Sequence, residues 1–531
     1  MQPIDTALSA TSPHAESAFA PAPVTVGTGP VSMTDVVAVA RHDARVLLGD
    51  DARAAVAASR TTIEVLASDT APHYGISTGF GALATTFIGA DDRTRLQQSL
   101  VRSHAAGSGP EVERETVRAL MLLRLSTLLT GRTGIRLSTA EAYAGLINAG
   151  ITPIVREYGS LGCSGDLAPL AHCALALMGE GTVRDRTGTE VPAAEALASA
   201  HIEPVVLHEK EGLALINGTD GMLGMLVLAI TDLRALVTAA DIAAAMSVEG
   251  QSGTDDVFAA DLQALRPHPG QKASAANIRA VLAASPMIEA HRTGGFTRVQ
   301  DAYSLRCAPQ VHGAVRDTID HAERVAEREL ASAIDNPVVT IDGRVESNGN
   351  FHGAPIGYVL DFLAIAAADL ASMSERRTDR FLDATRSGGL NPFLAHEPGV
   401  DSGLMIAQYT QAGIVSEMKR LAVPASVDSI PTSAMQEDHV SMGWGAARKL
   451  RRSIDGLAQV VAVEVMAAAR GIDMRSIPSA DATAAVISKL RETVAGPGPD
   501  RHLAPEIAAA VRFVTSGDLV AAARTVSPEL V

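Results

Sequence analysis

The chain has 531 residues, 47% hydrophobic and only 3% aromatic, with 60 acidic against 44 basic side chains and a formal charge of −16. That hydrophobic content excludes a disordered chain, and the acidic balance excludes a nucleic-acid binder or a partner of anionic membranes, because phosphates are met by Lys and Arg. Scarce aromatics beside abundant Ala and Leu favour helix packed on helix over a β-sandwich. Cys163, Cys173 and Cys307 are too few and too scattered for a disulfide framework or a paired-cysteine metal site, so a reducing compartment is the natural setting. The first basic residue is Arg41, which leaves the amino terminus without the charged region of a secretory leader. The most apolar stretch, Gly221 to Thr231, gives way to Asp232 after 11 residues, short of the roughly 20 that a membrane helix needs. A cytoplasmic protein is expected.

In chain order, residues 1–30 are rich in Ala, Pro, Ser and Thr without periodicity and read as a flexible tail, with order beginning near Val31. Glu111 to Leu129 reads as a helix with acidic residues in its first turn and Gly131 just past its end, and its all-round apolar body implies burial. Long helical patterns recur at Gly221–Val248, His312–Ala333, Gly357–Thr378, Ser402–Leu421 and His439–Arg470. Helices of this length with few strand signals between them predict a mainly α fold, a long antiparallel helical bundle. Gly496-Pro-Gly-Pro499 breaks the chain before a terminal helical segment. The expected division is a smaller, loop-rich N-terminal domain over 31–225 and a central bundle with its C-terminal segment over 226–531.

The most unusual segment is Gly159-Ser-Leu-Gly-Cys-Ser-Gly-Asp-Leu-Ala-Pro-Leu-Ala-His172. Asp166 is placed to cap a helix with Pro169 in its first turn, which sets the Cys163-Ser164-Gly165 turn at a positive helix end. Ser164 does not fit a hydrolase elbow, which needs Gly where Asp166 stands. Cys163, His172 and Cys173 lack the second ligand pair that zinc spacing requires. Gly165, having no Cβ, lets its nitrogen approach the Cys163 carbonyl. Ring closure there, with loss of water including the Ser164 hydroxyl, would leave an electrophilic exocyclic methylene.

That segment resembles the signature of the histidine and aromatic amino acid ammonia-lyase family. Further blocks resemble the family in its own order: Tyr74-Gly-Ile-Ser-Thr-Gly-Phe-Gly81, Ser103-His-Ala-Ala-Gly107, Leu215-Ile-Asn-Gly-Thr219, Val299-Gln-Asp-Ala-Tyr-Ser-Leu-Arg-Cys-Ala-Pro-Gln310, Asp335-Asn-Pro337, Gly349-Asn-Phe-His352 and Gln436-Glu-Asp-His439. The resemblance runs from about residue 35 to 480. It implies a methylidene-imidazolone electrophile (MIO) made by the chain itself from Cys163, Ser164 and Gly165, with no external cofactor and no metal. It implies Tyr74 as the base that removes a β-proton, and Tyr303 as a second essential tyrosine near the amine. Arg306 matches the partner of the substrate carboxylate, a task suited to a planar bidentate fork. Asn217 and Gln310 match polar residues that orient substrate and electrophile, and Phe351 matches a pocket-wall aromatic. The resemblance further implies an amino acid substrate and a homotetramer whose active sites are each assembled from three subunits, with Tyr74, Arg306 and Glu437 contributed by different chains.

Ser103-His104 has the pattern of the histidine-specific branch, and Glu437 and Met405 match its acidic residue and its Ser-Gly-Leu-Met block. A His and a Glu can both hydrogen-bond an imidazole, whereas a phenyl ring would leave two buried polar groups unpaired, at about 1–3 kcal/mol each. Elimination of ammonia from L-histidine is therefore expected, with phenylalanine or tyrosine elimination, or an MIO-dependent aminomutase reaction, as alternatives. Three residues depart from the family pattern: Cys163 for Ala, Ser77 for Asn, and Met435 for the Asn that commonly precedes Gln436. Met435 lies beside the presumed ring contact, so a shifted substrate range is one expectation.

Overall fold

The computed structural model describes residues 21–293 and 299–531. The helices that organise it are α1 (Arg114–Leu129), α2 (Leu167–Leu177), α3 (Asp220–Gly250), α4 (Ala308–Leu330), α5 (Ala354–Leu382), α6 (Met405–Leu421) and α7 (Gly443–Asp473). α3 contains no proline and is built from Ala, Leu, Met, Ile and Val, which pay little to enter a helix or are covered on every side once they do. Its 31 residues make a rod about 46 Å long.

The polar interruption at Asp232 and Arg234 does not end α3. It forms one partly exposed turn, where Asp232 pairs with Arg41 and Arg451 and Arg234 pairs with Asp320. The expectation of an apolar stretch too short for a membrane is therefore corrected. The stretch Glu211–Gly250 (mean hydropathy 1.7) and α5 (1.6) are both long and apolar enough to cross one, but 78% and 61% of those windows are buried inside the protein.

Successive long helices alternate in direction. His312 and Arg316 of α4 meet Asp241 of α3 while Asp320 meets Arg234, so these two run antiparallel. Gln411 of α6 donates to the Val460 carbonyl, and Met418 lies against Gly456, which makes α6 antiparallel to α7. The alternation leaves α3, α5 and α7 parallel. At one end Gly221 faces Trp444 and Met222 faces Gly353; at the other Gly250 faces Phe381 and Ile472. One continuous apolar core runs from Val24 to Leu530 through these helices.

Two boundaries differ from expectation. Val24–Val26 is a strand paired in parallel with Val46–Leu48, so order starts before Val31. Residues 1–20 of the expected tail lie outside the described residues. Glu111 is not helical; it ends the strand Ser108–Glu111, paired with Arg156–Tyr158, and its carboxylate holds Arg184. Three or four residues cannot declare themselves as strands by alternation, and both pairings are long-range.

Charges inside the bundle are matched. Arg377 and Glu464 are fully buried, with Nη2 to Oε2 at 2.8 Å, and His312 Nδ1 lies 2.7 Å from Asp241 Oδ1. Removing one partner of such a pair strands the other charge. Arg377→Met is expected to cost about 3–5 kcal/mol in a denaturant titration; a loss under about 1 kcal/mol would show that Glu464 finds water or another cation.

Candidate active site

The strand Arg156–Tyr158 feeds the turn that ends in α2. Gly165 has φ +76°, and a Cβ there would stand 2.2 Å from the Gly218 carbonyl oxygen; a Cβ on Gly218 would stand 2.3 Å from Arg124 Nη1. Glycine at 165 lets the two backbones close, glycine at 218 leaves room for the Arg124 and Asp220 side chains, and the Asp166 N–H then donates to Gly218 O at 2.7 Å. Asp166 precedes α2 but makes no side-chain cap on it. Its Oδ2 instead accepts from the Gly221 and Met222 N–H groups at 2.9 Å each, capping α3, and its Oδ1 accepts from the Ser160 hydroxyl at 2.9 Å. The expected cap is thus made on a neighbouring helix. Burial pushes the Asp166 carboxyl up to about 7, against the opposing pull of the Met222 N–H and the Ser160 hydroxyl.

The ends of α5 and α7 also reach this turn. Gly353 N–H donates to Gly162 O at 2.9 Å, Met442 N–H to Leu161 O at 2.8 Å, and the Ser441 hydroxyl to Gly162 O at 2.8 Å. The amino-terminal ends of α2, α3, α5 and α7 therefore converge around Cys163-Ser164-Gly165, and their positive ends favour negative charge there.

Glu437 closes the turn from the opposite side. Its Oε1 accepts from Ser164 Oγ at 2.6 Å, and its Oε2 lies 3.3 Å from Cys163 Sγ and 2.8 Å from Thr432 Oγ1. Burial would raise this carboxyl, but the Ser164 and Thr432 hydroxyls and the Cys163 thiol together hold it below the usual range. Burial first, then the Glu437 charge, pushes the Cys163 thiol up to about 11, which keeps it protonated at neutral pH.

His104 ends the helix Arg93–His104, with Nδ1 2.8 Å from the Leu100 carbonyl, so Nδ1 carries the proton and Nε2 is left as an acceptor. Burial lowers its pKa more than the Leu100 bond and the Glu437 charge raise it, leaving the ring neutral. His172 accepts from the Gly107 N–H at 3.1 Å and so ties the segment after His104 to α2. Tyr74 accepts from the Gly81 N–H at 3.2 Å and meets Phe80 edge-on. Gly81 lies against Ser433, placing the Tyr74 loop beside the Glu437 loop within one chain. Asn217 donates to Asn336 O at 3.0 Å, while its Oδ1 is buried without a hydrogen-bond partner. Phe351 reaches this end through Gly353, two residues on.

The remaining expected residues lie at the other end of α3. Asp301 accepts from the Thr254 N–H at 2.8 Å, just past the end of α3, and Tyr303 and Arg306 follow in the next turn. The Arg306 guanidinium sits 4.7 Å from the Tyr303 ring centroid. Arg306 Nε and Gln310 Oε1 are buried without partners, and Tyr303 is 69% exposed. Met405 opens α6 on the same side, where Gln408 donates to Glu375. Within one chain, then, Tyr74, His104, Cys163, Ser164, Gly165, Asn217, Phe351 and Glu437 gather at one end. Tyr303, Arg306, Gln310 and Met405 lie toward the other end of α3, roughly 30–45 Å along it.

Thr432 and Ser160, which hold Glu437 and the turn, were not singled out by sequence, and neither was His172 as a brace. Ser433, Ala434 and Met435 have φ of +52°, +53° and +70°, a left-handed run between the paired Thr432 and Glu437. The Met435 side chain is 66% exposed. Asn at this position answers a backbone demand, since Asn enters the left-handed region at less cost than Met. Ser77 is fully buried and accepts from the His73 N–H at 2.9 Å, keeping a polar anchor in the Tyr74 loop.

A Cys-Ser-Gly turn capped by a carboxylate at the meeting point of long parallel helices, together with the match to a lyase family profile, makes this a helical-bundle enzyme of the lyase class. The chain belongs to the aromatic amino acid lyase family, whose sequence profile matches residues 31–492. It is 64% identical to a histidine ammonia-lyase of Streptomyces avermitilis over 96% of this chain and 99% of that one, and 47% identical to that of Sorangium cellulosum over 93% and 97%. Among solved structures, histidine ammonia-lyase from Trypanosoma cruzi superposes with a TM-score of 0.87 at 36% identity, covering 95% of this chain and 96% of that one. Tyrosine aminomutase from Streptomyces globisporus superposes with a TM-score of 0.90 at 36% identity, covering 96% and 100%.

Because Met435 is a backbone matter, Met435→Asn is expected to raise stability by about 1 kcal/mol in a denaturant titration with substrate preference unchanged. A change in preference without a gain in stability would return the position to ring recognition.

Proposed function

We propose that the protein is a histidine ammonia-lyase that eliminates ammonia from L-histidine to leave urocanate, an α,β-unsaturated acid. The observation that carries this reading is the Glu437 carboxylate 2.6 Å from Ser164 Oγ at the same end of the bundle as His104, whose Nδ1 is engaged by the Leu100 carbonyl and whose Nε2 is left as an acceptor. A protonated imidazole ring carries two N–H donors, one for the carboxylate and one for His104 Nε2, while a phenyl or phenol ring cannot satisfy both. The identity of the Streptomyces avermitilis relative supports the same choice over the aminomutase alternative.

We read Cys163-Ser164-Gly165 as the source of an MIO group. The residues fit it: the Cβ-free cradle of Gly165 and Gly218 is already closed, and the Ser164 hydroxyl meets a carboxylate. Once formed, such a group supplies the electrophile that takes up the substrate amine and makes ammonia a better leaving group. Tyr74 removes the β-proton, and the Gly81 N–H directed at its oxygen supports the charge that develops there. Asn217 Oδ1, unpartnered and buried, is free to accept from the substrate. Phe351 lines the ring pocket.

Arg306 binds the substrate carboxylate as a bidentate fork, with Tyr303 near the amine and Gln310 and Met405 around them. These residues cannot reach Ser164 of their own chain, so the reading requires another copy to supply them, as in a homotetramer with shared sites. Apolar residues left exposed support such assembly: Tyr358, Phe362 and Ile365 line one face of α5, and Ile406 and Tyr409 stand on α6. A cytoplasmic setting suits the three free cysteines.

A spectrophotometric screen with histidine, phenylalanine and tyrosine, following the conjugated acid, tests the substrate. Histidine should dominate, and His104→Leu should lower its turnover roughly 10- to 100-fold. Faster turnover of phenylalanine, or release of a β-amino acid in place of ammonia, would overturn the reading. Shared sites are tested by complementation. Ser164→Ala and Arg306→Ala chains should each be inactive alone and regain activity when co-expressed; no recovery would mean that the two ends of the bundle do not serve one site.

A further inference from the structure

Ser164 is, before any ring forms, an ordinary serine whose hydroxyl must be lost, and one carboxylate already touches it. Glu437 Oε1 is 2.6 Å from Ser164 Oγ, and Oε2 is 3.3 Å from Cys163 Sγ, so the carboxylate lies across the residue whose Cα–H and Cβ–O bonds must both break. Thr432 fixes it from behind, with its hydroxyl 2.8 Å from Oε2 and with main-chain hydrogen bonds in both directions. The other carboxylate in the turn is occupied elsewhere: Asp166 spends its oxygens on Ser160 and on the Gly221 and Met222 N–H groups.

Resting on the reading of this turn as an MIO source, we propose that Glu437 is the acid–base catalyst of its maturation, carrying the Ser164 Cα proton to the departing Ser164 oxygen. Ring closure joins the Gly165 nitrogen to the Cys163 carbonyl carbon, and the carbonyl oxygen leaves as water with the Gly165 and Ser164 amide protons, forming a C=N bond. The Ser164 Cα–H, now between that C=N bond and the Ser164 carbonyl, becomes acidic. Glu437 takes this proton, the electron pair forms the exocyclic C=C bond, and the C–Oγ bond breaks. The protonated carboxyl then delivers its proton to Oγ, a second water leaves, and Glu437 returns to carboxylate with no oxidant or reductant consumed. Glu437 starts in the required form, because its hydroxyl partners hold it ionised.

The same geometry sets an order of events. While Ser164 keeps its hydroxyl, Oε1 is occupied; once the hydroxyl is gone, that oxygen has no partner in the turn and becomes available to a substrate ring. Maturation therefore frees the residue that reads the substrate.

Intact-protein mass measured over time on freshly synthesised chain tests the proposal without substrate. The wild-type chain should lose two waters. Glu437→Gln, checked for native circular dichroism, should lose one and shed the second at least roughly 100-fold more slowly, the usual scale of acid–base assistance. Glu437→Asp should recover part of the rate, and Thr432→Val, which keeps the carboxylate but frees Oε2, should slow the second loss severalfold. Loss of both waters from Glu437→Gln at the wild-type rate would overturn this role and leave the electrophile reading standing. No water lost from the wild-type chain would overturn that reading itself. Should Glu437→Gln not fold, an unchanged second loss in Thr432→Val overturns the proposal.

Discussion

The contact between Gly165 and Gly218 is the constraint on which the rest of the site depends. Two backbones meet where no side chain fits, and the Asp166 N–H to Gly218 bond locks them together. From there the Asp166 carboxylate fastens the turn to the first turn of α3, which packs on α5 and α7 along its whole length. The turn is thus held against the core, and its position is maintained by the same burial that stabilises the fold. Burial also explains why a carboxyl with three hydrogen-bond donors still titrates near 7: desolvation outweighs the donors.

Electrostatics divides the protein into two working ends joined by a matched interior. Four helix starts make the Ser164 end positive, and Glu437 is the negative group that answers them. At the far end Arg306 stands over the Tyr303 ring with an unpaired Nε. Between them, Asp241 holds His312, His312 abuts Arg377, and Arg377 bonds both Glu464 and the Ser304 carbonyl directly after Tyr303. A net charge of −16 says nothing of this arrangement, because the deciding charges are few and local.

Much of the fold was legible in the sequence because the long helices are written as apolar runs without proline, and their bodies lie where periodicity puts them. Their ends were less legible, since ends are settled by tertiary partners: Asp166 looks like the cap of α2 and serves α3 instead. The short strands Val24–Val26 and Ser108–Glu111 carry no periodic signal and exist through long-range pairing. In the candidate site, the motif residues around Ser164 and Glu437 do come together, and the Tyr74 loop lies beside the Glu437 loop where Gly81 meets Ser433. Thr432 carries no motif signal of its own, and His172 was weighed only as a metal ligand, because its bond to the Gly107 N–H bridges 65 residues of chain. Met435 was expected to shift the substrate range because it lies beside the presumed ring contact, whereas its positive φ makes backbone conformation the local demand.

α3 carries a further consequence. Since Asp166 anchors one end of it and the Tyr303 turn leans on the other, the helix works as a gauge block between two assembly points. Apolar side chains along its middle can be exchanged wherever their volume is matched. Adding or deleting one residue, however, would swing everything beyond it by about 100° and shift it by 1.5 Å, putting both ends out of register at once. For this segment, residue count is held more tightly than residue identity.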